Sequence, residues 1–250
     1  MKYRGELNTE QQNPNSKLID TLSTKNILSL INDEDQTIAD AVKVAIPFIE
    51  KAVDLTVHSI QSGGRIFYIG AGTSGRLGVL DASEIPPTFS SEDGLFVGVI
   101  AGGDEAIRNS IEGAEDNSEA AAQDLKKYDI NQKDTIIGVS CSGAALYVVS
   151  ALEFAKSRGA KTAYLITNPE PFHMIQVDAL IQIDTGSEII TGSTRMKGGT
   201  ATKMVLNMIS TATMIKIGKV YGNLMVDLQA VNDKLVDRGT RIISELTGLK

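Results

Sequence analysis

From residue 65 onward, short apolar runs alternate with longer segments in which apolar residues recur at helical spacing. Each run has the length and the Ile and Val content typical of a buried strand. Strands that alternate with helices in this way predict βαβ units and a parallel sheet that is covered on both faces. The strand predictions are residues 65–69, 95–101, 135–139, 161–166 and 179–183. The helix predictions are residues 76–84, 104–115 (or on to 127), 144–157 and 197–219.

The two ends of the chain lie outside this alternation. Residues 1–22 are polar, and we predict an extended arm, although composition alone favours a disordered tail. Ser23 or Thr24 is placed to cap a short helix, and a separate, longer helical pattern follows over residues 37–61. Residues 227–247 again have helical spacing. The resulting division is 1–64 for the arm and N-terminal helices, 65–227 for the sheet domain and 228–250 for a C-terminal helix.

The composition excludes several classes of function. Apolar residues make up 42% and charged residues 22% of the 250 residues, as in an ordinary soluble globular protein. The net charge of −7 argues against a nucleic-acid partner, which requires clustered Lys and Arg. Cys141 is the single cysteine, so no intrachain disulfide forms and a reducing compartment is expected. With a polar N-terminus and no apolar run of membrane-spanning length, the sequence predicts a cytoplasmic protein without a membrane partner.

A glycine-rich loop follows the first predicted strand. It reads Gly70-Ala-Gly-Thr-Ser-Gly75 and leads into a helical pattern that Pro86 and Pro87 are expected to stop. Backbone N–H groups, two hydroxyls and the positive end of a helix dipole together form a cradle for a phosphate. Further along this helix, Glu84 has apolar neighbours in the sequence. A carboxyl group partly removed from water there would have a raised pKa, which suits a general acid.

Two further strand-following loops have the same composition of Gly, Ser and Thr. The second is Ser140-Cys-Ser-Gly143, and the third combines residues 185–188 with 191–200. Because ligands of open parallel sheets bind at the carboxyl ends of the strands, the three loops are expected to converge on one ligand. Hydroxyls and exposed N–H groups suit a sugar phosphate. The predicted ligand-binding residues are Gly72, Thr73, Ser74, Gly75, Ser140, Ser142, Glu188, Ser193, Thr194 and Lys197.

Gly70, Gly72 and Gly75 also match the G-x-G-x-x-G pattern of dinucleotide-binding domains. The match is weak, because the second predicted strand ends in Gly102-Gly103 where an acidic residue should bind the ribose. A nicotinamide-dependent dehydrogenase therefore stays as one alternative. No cluster of His, Cys and carboxylate residues has the spacing of metal ligands, and the two histidines and the cysteine are interpreted as packing or surface residues.

Several blocks of the sequence are longer and more specific than this glycine pattern. They are Gly70 to Glu84 with Pro86-Pro-Thr-Phe89, Glu112-Gly-Ala-Glu-Asp-Asn117, Gly192-Ser-Thr-Arg-Met-Lys197, Gly218 to Asp227 and, in the arm, Leu7-Asn-Thr-Glu-Gln11. Together they resemble the N-acetylmuramic acid 6-phosphate etherases, which belong to the sugar-isomerase (SIS) fold group. The resemblance covers almost the whole chain. It implies an α/β fold, namely a SIS-type three-layer sandwich with a central parallel five-stranded sheet flanked by helices, plus helical N- and C-terminal extensions, and a homodimer.

The same resemblance implies a carbon–oxygen lyase that needs no cofactor. Such an enzyme cleaves the D-lactyl ether of N-acetylmuramic acid 6-phosphate, a phosphorylated amino sugar, to N-acetylglucosamine 6-phosphate and D-lactate in cell-wall sugar recycling. The two catalytic glutamates of the family match Glu84, as proton donor, and Glu115. Loss of the C2 proton from the ring-opened sugar, expulsion of the lactyl oxygen and addition of water at C3 need an acid and a base. Assigning the C2 proton to Glu115 is a hypothesis. A glutamate that is merely a solvated charge at a helix end would give the same charged run of Glu112, Glu115 and Asp116.

The chain departs from the family pattern at Ile85 and Ser187 and, with more bearing on function, in two further features. The second loop continues as Gly143-Ala144-Ala145-Leu146 where the family usually carries Gly-Arg-Thr-Pro, so a charge and a hydroxyl near the ligand are missing. The chain ends at Lys250, where relatives continue into a further helical region, so a truncated chain or a short variant is expected. The glucokinase regulatory protein is similar in fold but does not catalyse, and a non-catalytic sugar-phosphate-binding regulator is the second alternative.

Overall fold

The computed structural model describes residues 3–228 and 233–248 of the chain. Its five strands form one sheet in the order β2-β1-β3-β4-β5, and every neighbouring pair is parallel. The strands are β1 (Ile66–Gly70), β2 (Phe96–Ile100), β3 (Thr135–Val139), β4 (Lys161–Ile166) and β5 (Ala179–Gln182). The described helices are α1 (Thr24–Gln61), α2 (Gly72–Phe89), α3 (Glu105–Arg108), α4 (Ser118–Lys126), α5 (Leu146–Ser157), α6 (Lys197–Lys216) and α7 (Asp233–Thr247).

The strands are apolar on both faces because helices cover both faces of the sheet. Along β1, Ile66 and Tyr68 pack into one layer while Phe67 and Ile69 pack into the other, as the alternation of side chains along a strand requires. The first layer contains α1, α2 and α6, and the second contains α4 and α5. The three-layer α/β sandwich with a parallel five-stranded sheet, predicted from the sequence, is confirmed.

The strand order places the first two loops side by side. β1 has β2 on one side and β3 on the other, and Gly70 at the end of β1 lies opposite Val139 at the end of β3. The chain therefore changes direction across the sheet between β1 and β3. Such a switch point leaves a crevice at the carboxyl ends of the two strands, where ligands of open α/β sheets bind.

The N-terminal helix is longer than the sequence predicts. Instead of a short helix and a separate longer one, a single helix of 38 residues runs from Thr24 to Gln61. Ser23 is its cap, since the Ser23 hydroxyl accepts a hydrogen bond from the N–H of Asn26 (3.4 Å). The polar turn that interrupts the apolar pattern contains Glu34, whose side chain is turned inward toward the arm and α6. The interruption therefore marks a buried polar contact within one helix.

Helix α2 exceeds the prediction at both ends. It begins at Gly72 and continues through Pro86 and Pro87 to Phe89, so the expectation that the prolines stop it is wrong. The prolines remove only hydrogen bonds of the last turns. Ile85 and Phe89 are buried in the core on either side of them and hold this end of the helix in place.

The predicted helix over residues 104–115 is wrong for most of its length. Only Glu105–Arg108 is helical, and Gly113 has a φ of +71°, a left-handed conformation that does not continue a helix. A single 3₁₀ turn, Ala114–Asp116, follows. Asn117 then starts α4, because its Oδ1 accepts a hydrogen bond from the N–H of Ala120 (3.1 Å). Residues 109–117 thus form a loop at the carboxyl edge of the sheet.

The N-terminal arm, described from residue 3, packs against the third loop. It consists mainly of short 3₁₀ turns. The N–H of Gly192 donates to the carbonyl of Thr9 (3.0 Å), and the Ser16 hydroxyl donates to the carbonyl of Ile189 (2.7 Å). The alternative of a disordered tail is therefore wrong for this segment.

The C-terminal helix α7 buries none of its side chains within the described chain. It accounts for the helical spacing near the C-terminus, while residues 229–232 of that prediction lie outside the described residues. Within residues 3–228 and 233–248, no helix combines the length and the apolar character needed to cross a membrane.

Candidate active site

The first loop forms the beginning of α2. Ala71 is the N-cap, and Gly72, Thr73 and Ser74 are the first helical residues, whose N–H groups have no partner one turn earlier. Gly72 has a φ of +53°, a left-handed conformation that favours glycine. The start of this helix of 18 residues offers an anion free N–H donors, two hydroxyls and the positive end of the helix dipole.

The second loop completes a cavity at this point. Ser140, Cys141 and Ser142 follow β3, directly beside the start of α2, and the two segments border a cavity of about 150 Å³. Four of the residues that these loops contribute carry a hydroxyl group, namely Thr73, Ser74, Ser140 and Ser142. The predicted ligand-binding residues that line the cavity are Gly72, Thr73, Ser74, Ser140, Ser142 and Thr194.

Two other predicted ligand-binding residues lie away from the cavity. Gly75 is buried, and a Cβ atom there would lie 2.6 Å from Cγ1 of Ile100 and 2.7 Å from the carbonyl oxygen of Gly70. Its glycine is therefore required for close packing of α2 against the sheet. Ser193 does not line the cavity, and its N–H donates to the carbonyl of Ile190 (2.9 Å) within the third loop.

Glu188 is a predicted ligand contact, but its carboxylate is held inside the protein. The side chain is fully buried, and its two oxygens accept hydrogen bonds from the N–H groups of Lys197 and Gly198, each at 2.9 Å. These are the first N–H groups of α6, so Glu188 supplies the negative charge that a helix N-terminus favours. Burial raises the pKa of Glu188, although both hydrogen bonds and the charge of Lys197 act in the opposite direction.

Lys197 is likewise engaged away from the cavity. Its side chain is 5% exposed, and Nζ lies 2.8 Å from Oε2 of Glu34 on α1. Glu34 also accepts hydrogen bonds from the arm residues Asn13 (2.8 Å) and Asn15 (2.7 Å). Burial alone would raise the pKa of Glu34, but the bonds from Asn15, Lys197 and Asn13 lower it overall. Lys197 therefore neutralises a buried carboxylate that the sequence pattern does not connect with it.

Glu115 lies at the same cavity as the hydroxyl-bearing loops. It belongs to the 3₁₀ turn Ala114–Asp116, and its side chain is exposed. It also lines a neighbouring cavity of about 240 Å³ together with Arg76 and Glu112, and the two cavities share Ala71 and Gly72. Of the two glutamates singled out from the sequence, Glu115 is the one that the fold brings to the first loop of its own chain.

Glu84 is placed differently from the expectation. It follows Gly72 by twelve residues on α2, so it lies about 18 Å farther along the helix axis at 1.5 Å per residue. The side chain is exposed and lines neither cavity. The expectation that its apolar neighbours remove it from water is therefore wrong for the single chain, because Leu80 and Pro87 are themselves exposed.

Four cavity residues are absent from the site that the sequence predicts, namely Ala71, Val139, Cys141 and Ala145. Cys141, interpreted above as a packing residue, lines the cavity, with Sγ 3.7 Å from Oγ of Ser74 and 3.8 Å from the carbonyl oxygen of Thr194. Burial raises the pKa of this thiol, which makes it a weak nucleophile at neutral pH. Ala145 lines the cavity at the start of α5 and gives that helix no side-chain cap. In the sequence, Cys141 lies between Ser140 and Ser142, and Ala145 lies between this loop and the helix that follows. This closeness to predicted ligand-binding residues is the signal that could have assigned both to the site.

Metal binding has no support among the described residues. In residues 3–228 and 233–248, no group of three or more His, Cys, Asp or Glu side chains is arranged to hold a metal ion.

The sheet order and the hydroxyl-lined cavity at its switch point define an open, doubly wound α/β domain with a polar candidate ligand site. The family described as glucokinase regulatory protein N-terminal SIS domain matches residues 48–156. A solved phosphoheptose isomerase from Francisella tularensis aligns with a TM-score of 0.60 over 78% of this chain and 99% of that chain. At 18% sequence identity, this likeness shows the fold alone.

Sequence relatives identify the family more narrowly. The chain is 54% identical over 245 residues to the N-acetylmuramic acid 6-phosphate etherase of Caldanaerobacter subterraneus subsp. tengcongensis, which covers 98% of this chain and 80% of the relative. It is 51% identical over 247 residues to the etherase of the same name from Glaesserella parasuis serovar 5, covering 99% of this chain and 81% of the relative. The chain belongs to the N-acetylmuramic acid 6-phosphate etherase family, as the sequence blocks indicate.

Proposed function

We propose that this chain is a carbon–oxygen lyase that acts on N-acetylmuramic acid 6-phosphate. It releases D-lactate and leaves N-acetylglucosamine 6-phosphate, a reaction of amino sugar recycling. The observation that carries the proposal is the cavity in which Thr73, Ser74, Ser140 and Ser142 meet Glu115, in a chain with 54% identity to a named etherase. The free cysteine Cys141 fits a reducing compartment and supports a cytoplasmic location.

The phosphate of the substrate is assigned to the start of α2. The N–H groups of Gly72, Thr73 and Ser74 and the two hydroxyls are the donors for its oxygens. The serines of the second loop, Ser140 and Ser142, face the same space from β3 and bind the remaining phosphate or sugar oxygens. Neither Glu188 nor Lys197 contributes, because their charged groups are paired inside the protein.

Glu115 is assigned the role of base. Its carboxylate takes the proton from C2 of the ring-opened sugar, next to the C1 aldehyde, and the electron pair of that bond forms an enolate. Collapse of the enolate forms the C2–C3 double bond and expels the lactyl oxygen, which receives a proton from an acid. Water then adds to C3 and a proton returns to C2, which gives the product sugar and D-lactate.

Glu84 is assigned the role of acid in the cavity of a second copy of the chain. Its exposure, and its position about 18 Å along the helix axis from Gly72 at 1.5 Å per residue, support a contribution from a partner. Helices α2 and α6 pack on each other and leave Leu80, Met208 and Ile215 exposed, an apolar surface that suits an interface between copies. The proposal therefore includes a homodimer whose two sites each combine both glutamates.

Two single variants and their mixture test this assignment. Glu84→Ala should release no D-lactate but still exchange the C2 proton for deuterium, whereas Glu115→Ala should lose both activities. In mixed dimers of the two inactive variants, one site regains both glutamates. Random mixing should restore about one quarter of wild-type lactate release, because half of the dimers are mixed and each has one intact site. No recovery would mean that both groups act within one chain, or that Glu84 is not the acid.

A non-catalytic sugar-phosphate-binding regulator is the second candidate. The match to the SIS domain of the glucokinase regulatory protein and the apolar Ala144-Ala145 pair in the second loop favour it. It predicts that wild-type protein binds N-acetylmuramic acid 6-phosphate and releases no lactate. The dehydrogenase alternative is not favoured, because β2 is followed by Ala101-Gly102-Gly103 and not by an acidic residue.

A further inference from the structure

Arg76 connects the phosphate cradle with the loop that carries Glu115. It lies two residues after Ser74 on α2, and its guanidinium reaches the end of α3. Nε donates to the carbonyl oxygen of Ile107 (3.1 Å), and Nη2 donates to the carbonyl oxygen of Asn109 (2.8 Å). Arg76 and Glu115 also line the same cavity of about 240 Å³. A single side chain thus holds two points of the backbone that leads to Glu115.

The Arg76 bonds lie at the protein surface, and the other polar side-chain contacts of this loop do not tie its backbone to α2. Ser110 donates to Glu112 within the loop, and Asn117 accepts from the N–H of Ala120 in the adjoining α4, so neither bond reaches α2. The ion pair of Arg4 with Asp116 spans 3.4 Å between side chains that are 57% and 51% exposed, and such pairs contribute little. Among the described residues, Arg76 supplies the side-chain hydrogen bonds that tie the backbone of this loop to α2.

We propose that Arg76 is a positioning residue, which fixes Glu115 relative to the site of the sugar phosphate. This inference rests on the proposed function, in which Glu115 takes the C2 proton. The planar guanidinium holds two carbonyl groups in a fixed relation, which a lysine cannot reproduce. The phosphate site lies at the start of α2, and Arg76 ties the loop of Glu115 to the same helix. One rigid element therefore sets the positions of the phosphate site and the base. Misplacement of a catalytic group by 1 Å costs up to about 100-fold in rate.

The test uses Arg76→Gln and Arg76→Lys with Arg158 as the matched control. Arg158 also donates from Nε to a backbone carbonyl, that of Ile130 (3.3 Å), but at the opposite end of the sheet. We expect Arg76→Gln to lower kcat for lactate release by about 10- to 100-fold. C2 deuterium exchange should fall in parallel, while the Kd of N-acetylglucosamine 6-phosphate stays within about twofold because the cradle is intact. Arg158→Gln should leave all three quantities unchanged.

A double variant separates positioning from a general structural role. If Arg76 acts through Glu115, adding Arg76→Gln to Glu115→Asp, a variant that keeps a displaced carboxylate with measurable activity, should cost less than about twofold more, because both changes misplace the same group. Additive losses would overturn the proposal, as would a wild-type kcat in Arg76→Gln. If Arg76→Gln does not fold, Arg76→Lys carries the same comparison, with an expected loss of about tenfold. Wild-type protein that releases no D-lactate would instead defeat the proposed function, independently of Arg76.

Discussion

The first and third loops have similar sequences but use their polar residues in different ways. In the first loop, Thr73 and Ser74 face a cavity at the start of α2. In the third loop, Glu188 caps α6 and Lys197 pairs with Glu34, and both charged groups are buried. Only Thr194 of the predicted third-loop residues lines the cavity. A loop rich in Gly, Ser and Thr at a strand end can therefore serve either a ligand or the protein itself.

The difference follows from what lies in front of each helix N-terminus. The N–H groups at the start of α2 face an open space, so an external anion can bind them. Those at the start of α6 already bind the carboxylate of Glu188. The arm closes over the third loop and adds hydrogen bonds from the buried Asn13 and the exposed Asn15 to Glu34. The third loop is thus a scaffold that keeps Thr194 and α6 in place beside the cavity.

The largest effect is expected for Lys197→Met, which removes the partner of Glu34. A largely buried carboxylate without its cation destabilises the fold by up to about 3–5 kcal/mol, and Glu34 lies below this limit because its side chain is 11% exposed. Urea unfolding measures the change, and Lys203→Met, an exposed position on the same helix, is the control. The distinction between the two loops would fail if Lys197→Met kept wild-type stability and instead lost binding of N-acetylglucosamine 6-phosphate.

A smaller effect, on binding, is expected for Ser74→Ala in the first loop. The loss of one hydroxyl donor to a phosphate oxygen costs about 1.5 kcal/mol, so KM for the phosphosugar should rise about tenfold. Ser193→Ala in the third loop should change KM by less than about twofold, because its side chain does not line the cavity. Initial-rate measurements of lactate release on both variants make the comparison, and equal effects at the two positions would contradict it.

Local sequence patterns are sufficient for the sheet and for half of the candidate site. The predicted strands over residues 135–139 and 161–166 coincide with β3 and β4, because short runs of Ile, Val and Leu are typical of strands that are buried on both faces. The parallel sheet then brings the loops after β1 and β3 together. Gly72, Thr73 and Ser74 of the first loop and the serines of the second loop can be assigned to one cavity without knowledge of any distant contact.

The rest of the site depends on contacts between distant segments. Lys197 pairs with a residue 163 positions away, and no pattern within the third loop reveals that partner. The expected burial of Glu84 is wrong for a related reason, since neighbours in the sequence of a helix point in different directions. Ile85 is buried while Glu84 and Leu80 are exposed. Apolar residues beside a carboxylate in the sequence therefore do not show that it is buried.

The smallest expected effect is a pH dependence of the unfolding free energy that arises from Glu34, the partner of Lys197 in the third loop. The hydrogen bonds to Glu34 hold its pKa below the ordinary value of 4.5 in the folded protein. As the pH falls below 4.5, the folded state binds fewer protons than the unfolded state. The stability that Glu34 contributes is therefore complete at neutral pH and is lost as the pH falls through the lowered pKa of Glu34. The difference in unfolding free energy between wild type and Glu34→Gln should shrink from about pH 7 to about pH 3. Glu188 has a raised pKa, so its own contribution to stability declines as the pH rises. Both proteins contain Glu188, and its contribution therefore cancels in the difference between them. A difference that stays constant over this range would mean that Glu34 is not held as a carboxylate by Lys197 and the arm, and the scaffold role of the third loop would lose its main support.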